Sequence, residues 1–248
     1  MNLNHALAQG LQSGRTDSVR PQAGVLVAGA IGRIGEALLN RVLADEAGRG
    51  GVGGRPVIAL AASPMAMGMR GLTLASMEAL PPLDAAFLIL NDSADAEARS
   101  FYGRDAPFVQ VDELNCVHVA RRAVESGARR LVLIAPMAAW RQIGKFHTGL
   151  ADSVELELAR LPLDSLVVLR PVRNSGRRGA SLVERFVSVY LSVQLLMLPR
   201  TLEAITSEKL ARCAAAAMRN ARPGVTVFPA DAIPGLLETP AAPVQCAP

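Results

Sequence analysis

Cysteine and aromatic residues are scarce in this chain. Among its 248 residues there are three cysteines, Cys116, Cys213 and Cys246, which share neither a metal-ligand spacing nor the density of a disulfide framework. We therefore expect a reducing, cytoplasmic compartment and no metal site. Aromatic residues make up 4% of the chain, so the expected core consists mainly of alanine, leucine and valine side chains.

The chain also lacks a long apolar run and a dense basic cluster. The uncharged segment 187–199 is shorter than the ~20 residues that a membrane-spanning helix needs, so no membrane span is predicted. The formal net charge is +4, but the arginines are dispersed and few aromatic residues lie among them to stack on bases, which argues against nucleic-acid binding. Solvated helix faces and a pocket for an anionic cofactor explain the positive charge.

A glycine-rich turn is the most informative feature that is present. The apolar run 24–28 is followed by three glycines with the spacing Gly-x-x-Gly-x-x-Gly, and apolar residues then recur at helical spacing. Such a strand, turn and helix let the backbone approach a diphosphate, which the positive end of the helix dipole attracts. The residues predicted to bind a dinucleotide here are Gly29, Ala30, Ile31, Gly32, Arg33, Ile34 and Gly35.

Strands and helices are predicted to alternate along the rest of the chain. The further strands are expected at 56–62, 72–74, 84–90, 131–135, 165–170 and 225–228. Helices are expected at 112–126, 149–161, 181–198 and 207–220. This alternation predicts an α/β fold with a doubly wound, parallel, Rossmann-like sheet. Because ligands bind at the carboxyl ends of such strands, we also assign Ser63, Asn91 and Ala135 to the cofactor site.

The domain organisation is expected to be simple. Residues 1–22 are predicted to be a flexible extension, 23–232 a single dinucleotide-binding domain, and 233–248 a flexible tail. Within the domain, the apolar helix 181–199 belongs to a small C-terminal helical portion. That helix lines a substrate pocket or presents a surface to a partner protein, and residue types alone do not choose between the two.

The order of these segments resembles a known family. The glycine turn, then 84–90, then 111–136 and finally Leu169-Arg170-Pro171 look like the atypical short-chain dehydrogenases/reductases of the NmrA-like type. The resemblance covers residues 23–232. It implies a Rossmann-like fold and a bound NAD or NADP.

The resemblance also shows where this chain departs from catalytic relatives. Those proteins use a tyrosine as acid and base, a lysine four residues later that lowers the phenol pKa, and a serine that polarises the carbonyl group. The corresponding positions here hold His147, Ala151 and Ala135. Two functions follow. One is a binding protein without hydride transfer that serves as a redox sensor, scaffold or assembly partner. The alternative is an NADP-dependent reductase or isomerase with His147 as acid and base.

The end of the second strand bears on the choice of cofactor. NAD-binding folds place a carboxylate there to bind the ribose hydroxyls, but this chain has Ala61, Ala62 and Ser63. Arg33 and Ser63, with Arg70 as a further candidate, are suited to a 2′-phosphate instead, which favours NADP over NAD.

Overall fold

The computed structural model describes residues 22–49, 54–62, 71–91, 108–137, 153–172 and 205–238. The strands, numbered in chain order, are β1 Gly24–Ala28, β2 Val57–Leu60, β3 Leu72–Ala75, β4 Leu83–Ile89, β5 Arg130–Ile134, β6 Ser165–Arg170 and β7 Gly224–Pro229. The α-helices are α1 Gly32–Gly48, α2 Cys116–Glu125, α3 Ser153–Ala159 and α4 Ser207–Arg219. A 3-10 helix follows at Ile233–Leu237.

All seven strands pair in one sheet in the order β3-β2-β1-β4-β5-β6-β7. Every neighbouring pair is parallel. Strands β2 and β3 are added in turn on one side of β1. Strand β4 lies on the other side of β1, and β5, β6 and β7 follow outward from β4. This confirms the predicted doubly wound sheet, and it places the topological switch between β1 and β4, where ligands bind in folds of this class.

The strands form because their residues are apolar on both faces. In β1, all five residues are buried, as expected for a strand covered by helices on either side. One layer of the core lies beneath α1, α4 and the 3-10 helix and includes Val25 and Val27. The other lies beneath α2 and α3 and includes Leu26 and Ala28. Alternate residues of β1 therefore supply opposite layers.

The C-terminal boundary differs from the expectation. Residues 233–248 were expected to form a flexible tail, but the described part of that segment contains the 3-10 helix, in which Ile233 is 0% exposed. Ile233 and Leu236 pack into the same layer as α4. The packed domain therefore extends through Leu237, because these two side chains bury apolar surface that a tail would leave in water.

Helix α2 starts later than the predicted residue 112. The Asp112 carboxylate accepts hydrogen bonds from the backbone N–H groups of Leu114 and Asn115, both at 3.0 Å. This local bonding favours a turn over a helix, so the helix begins at Cys116.

A polar network ties the sheet together at the ends of the strands opposite the glycine turn. Arg55 donates to Glu46 at 2.7 Å and also pairs with Asp84, which in turn accepts from Arg130. Glu46 is 6% exposed. Burial alone would raise the pKa of Glu46, but the hydrogen bonds and charge of Arg55 outweigh it and hold that pKa below its ordinary value. The network joins α1 to β2, β4 and β5.

The described helices contain no segment with the length and apolar character needed to cross a membrane. Within the same ranges, no cluster of three or more His, Cys, Asp or Glu side chains has the arrangement of a metal site.

Candidate functional site

The turn after β1 requires glycine at its first position. Gly29 has a φ of +75°, a conformation that other residues adopt at a cost. A Cβ atom on Gly29 would also lie 2.3 Å from the carbonyl oxygen of Ile89 in β4 and 3.0 Å from Oδ1 of Asn91. Glycine is needed here because the turn leaves β1 in close contact with the end of β4.

The third glycine lets the helix pack against the turn. A Cβ atom on Gly35 would lie 2.4 Å from the carbonyl carbon of Ala30 and 3.0 Å from the carbonyl oxygen of Gly29. The first turn of α1 therefore rests directly on the backbone that leads into it. This is the role that the last glycine has in dinucleotide-binding turns.

The second glycine opens helix α1. Gly32 has a φ of +75° and is the first residue of the helix. The preceding residue, Ile31, provides no side-chain cap, and the first turn contains no acidic residue. Ala30 and Ile31 are buried, whereas Arg33 is exposed. The start of α1 thus offers backbone groups, the positive end of a helix dipole and one arginine, which together suit an anion.

Asn91 joins this turn to a segment far along the chain. Its side-chain Nδ2 donates to the carbonyl oxygen of Gly29 at 3.1 Å, and its Oδ1 accepts from the backbone N–H of Val111 at 3.0 Å. Its own backbone N–H donates to the carbonyl oxygen of Val111 at 2.8 Å. Asn91 was predicted to bind cofactor. Both ends of its side-chain amide bind protein backbone, which is the arrangement of a residue that fixes the shape of the turn.

Residues 108–111, here named the strap, run beside the ends of both β2 and β4. The backbone N–H of Val109 donates to the carbonyl oxygen of Leu60 at 3.0 Å. Phe108 forms an antiparallel bridge with Ala61. No element was predicted at 108–111. The only sequence signal is the alternation of Val109, Gln110 and Val111, which is too short to indicate a strand.

Ala135 follows β5, one strand further from the glycine turn than β4. Its backbone N–H donates to the carbonyl oxygen of Leu169 at 2.9 Å, and the residue is 5% exposed. Its methyl side chain has no group that can donate a hydrogen bond to a substrate carbonyl. The structure therefore brings together residues 29–35 and Asn91. Ala135 lies at the same carboxyl-terminal end of the strands.

Several predicted features lie outside the described residues. They are Ser63, Arg70, His147 and the helix 181–199. Their proposed roles as cofactor, catalytic or partner contacts remain predictions.

A buried ion pair at the end of β6 was not predicted. Arg170 donates from Nε to Oε1 of Glu155 at 2.9 Å, and a second bond joins its terminal nitrogen to Oε2. Arg170 and Glu155 are 3% and 1% exposed. This bidentate pair connects the last residue of β6 to helix α3, so the guanidinium of the Leu-Arg-Pro segment is bound within the protein.

The two cysteines in the described ranges are not activated. Burial, with a smaller contribution from the charge of Asp112, raises the pKa of the Cys116 thiol to about 12. Burial also raises the pKa of Cys213. A thiol with a raised pKa forms little thiolate at neutral pH and is a poor nucleophile.

The site fits one part of a nicotinamide dinucleotide and not another. The glycine turn and the start of α1 suit the diphosphate. The end of β2 has no carboxylate in its described residues Ala61 and Ala62, and the strap forms an antiparallel bridge there. The chain's own backbone thus pairs with the strand end at which the adenosine ribose binds in folds of this class.

No protein-family model and no curated protein matches the sequence. Among solved structures, similarity is found to an oxidoreductase of the short-chain dehydrogenase/reductase family from Burkholderia thailandensis. The identity is 16% over 88% of this chain and 94% of the other, with a TM-score of 0.45. The enzyme WbmG from Bordetella bronchiseptica, solved in complex with NAD, is 16% identical over 87% of this chain and 84% of the other, with a TM-score of 0.36.

A third similar structure, Pen from Bacillus thuringiensis, is 12% identical over 84% of this chain and 80% of the other, with a TM-score of 0.40. The assignment of a Rossmann-like α/β fold rests on the strand order and parallel pairing of the sheet itself.

Proposed function

We propose that this protein binds a nicotinamide dinucleotide through the glycine turn and serves as a redox sensor, scaffold or assembly partner without transferring hydride. The observation that carries the proposal is the geometry of Gly32. It opens α1 with a positive φ, without a side-chain cap in front of it, at the switch between β1 and β4. A diphosphate there gains backbone hydrogen bonds and the helix dipole.

The lack of catalytic groups supports binding without turnover. Ala135 stands where catalytic relatives of the resembled NmrA-like type carry serine, and it offers no hydroxyl group. His147 and Ala151 stand at the tyrosine and lysine positions. Without the lysine, the acid-base group at the tyrosine position has no neighbouring positive charge from that residue to favour its deprotonated form. A protein with these three residues keeps the glycine turn that binds the cofactor, but it lacks the groups that relay a proton to the substrate.

NADP is the preferred cofactor in this proposal. A carboxylate at the end of β2 would repel a 2′-phosphate, and Ala61 and Ala62 provide none. Arg33 is exposed in the first turn of α1, where its charge opposes the helix dipole unless an anion is bound. A phosphate group bound there would offset the unfavourable interaction between the Arg33 charge and the helix dipole.

A calorimetric titration with NADPH and NADH tests the proposal. The wild-type protein is expected to bind NADPH more tightly than NADH. Gly32→Ala places a methyl group on a residue with positive φ in the turn, and it is expected to weaken NADPH binding about tenfold or more, since each tenfold corresponds to ~1.4 kcal/mol. Absence of binding of either nucleotide at millimolar concentration would overturn the proposal.

Gly224→Ala is the matched control. Gly224 also has a positive φ, +92°, but it opens β7 at the opposite end of the sheet and nothing lies within 4 Å of the added Cβ. Both variants carry the backbone cost of about 1 kcal/mol or more, and only Gly32→Ala is expected to lose affinity. A panel of carbonyl substrates should show no turnover. Turnover that His147→Ala abolishes would replace the sensor or scaffold function with an enzymatic one.

A further inference from the structure

The strap crosses the open end of β1. Strand β1 lies between β2 and β4, and it ends at Ala28. Beyond that point, the strap is bonded to β2 at Leu60 and to Asn91, which follows β4. Two strand spacings are about 10 Å, which four extended residues can span. The strap thus fills the gap in the sheet that opens where the chain turns away at Gly29.

The strap is packed on both sides of the sheet. Phe108 packs against the core layer beneath α1, and Val109 packs against the layer beneath α2. Val111 is 0% exposed. Side chains on opposite faces are the pattern of a strand. The strap is therefore a docked part of the sheet, held by backbone hydrogen bonds and apolar burial.

A dinucleotide bound at the glycine turn extends toward the end of β2, where the strap lies. In doubly wound folds, the diphosphate rests on the first turn, and the adenosine ribose reaches the end of the second strand. The backbone at 108–109 is bonded to that strand end through Leu60 and Ala61. Ribose and strap therefore compete for one position.

We propose that docking of the strap and binding of the adenosine half of the dinucleotide are mutually exclusive, so that the strap is a built-in competitor that sets the affinity of the site. This inference rests on the proposed function. It implies that the apparent dissociation constant equals the intrinsic one divided by the fraction of molecules with the strap released. Weakening the strap must then tighten binding.

Asn91 provides the physical link between the two events. The same side-chain amide holds the carbonyl oxygen of Gly29 and the N–H of Val111. Release of the strap frees Oδ1 of Asn91 while Nδ2 still holds the turn. The diphosphate cradle can therefore persist in both states, and only the ribose subsite opens.

Two variants weaken the strap in different ways. Val109→Pro removes the N–H that donates to Leu60, and Phe108→Ala removes the ring from the layer beneath α1. Each is expected to tighten NADPH binding about fivefold, the change in an equilibrium constant that corresponds to the loss of one net hydrogen bond or a comparable apolar contact. Leu114→Ala is the control, because Leu114 is 94% exposed just beyond the strap. Its NADPH affinity should equal that of the wild type.

Hydrogen exchange on the wild-type protein tests the same inference without a substitution. The Val109 amide should be protected in the free protein and should exchange faster at saturating NADPH, whereas ordinary ligand binding slows exchange near a site. Slower or unchanged exchange at Val109, or equal or weaker NADPH binding by folded Val109→Pro and Phe108→Ala, would overturn the competition.

These outcomes separate the two proposals. Binding by the wild type with no gain in the strap variants leaves dinucleotide binding intact and removes the strap competition. If the wild type binds only at close to millimolar concentration and the strap variants bind more tightly, both proposals are supported. If all of these folded proteins fail to bind at millimolar concentration, both are overturned.

Discussion

Asn91 donates from its side-chain amide to the carbonyl oxygen of Gly29 at 3.1 Å, and this bond joins the end of β4 to the glycine turn after β1. Asn91→Asp keeps the acceptor for the N–H of Val111 but places a carboxylate oxygen opposite the Gly29 carbonyl oxygen. We expect a loss of stability of about 1–3 kcal/mol, because a buried acceptor loses its donor and faces another acceptor, together with weaker NADPH binding. Urea unfolding and calorimetry measure the two effects.

Asn115→Asp is the matched control for that substitution. The Asn115 amide also makes two backbone bonds, from Nδ2 to the carbonyl oxygen of Gln110 at 2.9 Å and to Oδ1 from the N–H of Asp112 at 3.1 Å. It does not contact the glycine turn through these bonds. Its replacement should cost stability and, because it loosens the strap at Gln110 without touching the glycine turn, should tighten NADPH binding rather than weaken it. Equal loss of affinity in both variants would contradict the role assigned to Asn91.

The buried pair of Arg170 and Glu155 predicts a large effect of removing one partner. Glu155→Ala leaves the Arg170 guanidinium buried without this carboxylate, which is expected to cost about 3–5 kcal/mol of unfolding free energy. The exposed pair of Arg122 and Glu125, joined at 2.6 Å, provides the comparison. Glu125→Ala should cost about 0–1 kcal/mol. Urea denaturation of both variants measures the difference, and similar losses would show that the pair at β6 contributes no more than a surface contact.

Glu46 predicts a dependence of stability on pH. Its pKa in the folded protein lies below the ordinary value, so its contribution is complete above the pKa of the unfolded chain, about 4.3, and is lost as pH falls through the folded value. The stability advantage of the wild type over Glu46→Gln should therefore be constant from pH 7 to about pH 5 and decrease at lower pH. Urea midpoints measured from pH 7 to pH 3 check this. An advantage that grows on acidification would contradict the pairing with Arg55.

Local patterns in the sequence were sufficient to predict the framework. The run Ser165–Arg170 forms β6 with the predicted bounds, and the other six strands lie within a few residues of their predicted positions. Continuous apolar runs identify strands that are buried on both faces. The turn at Gly29 and Gly32 was also predicted, because its positive φ angles need a residue type that is visible in the sequence.

Contacts between distant residues could not be predicted in this way. The strap bonds to Leu60 across more than forty residues of chain, and Arg170 pairs with Glu155 on a different element. Neither relation leaves a periodicity in the sequence, because each depends on which strand ends the fold brings together. Ile233 and Leu236 were assigned to a tail for the same reason, since a 3-10 helix of five residues has too few turns to produce a pattern.

The position of β1 in the middle of the sheet determines when this protein can acquire its ligand site during synthesis. The first three strands place β1 at an edge, with one side unpaired until β4 emerges and Val27 meets Phe87. Gly29 then gains its neighbours Ile89 and Asn91. A nascent chain that ends before Leu83 therefore exposes an apolar strand edge, which is a site for aggregation, and it has no completed turn to offer a nucleotide. Ribosome-bound chains should become competent for nucleotide only after Asn91 has left the exit tunnel.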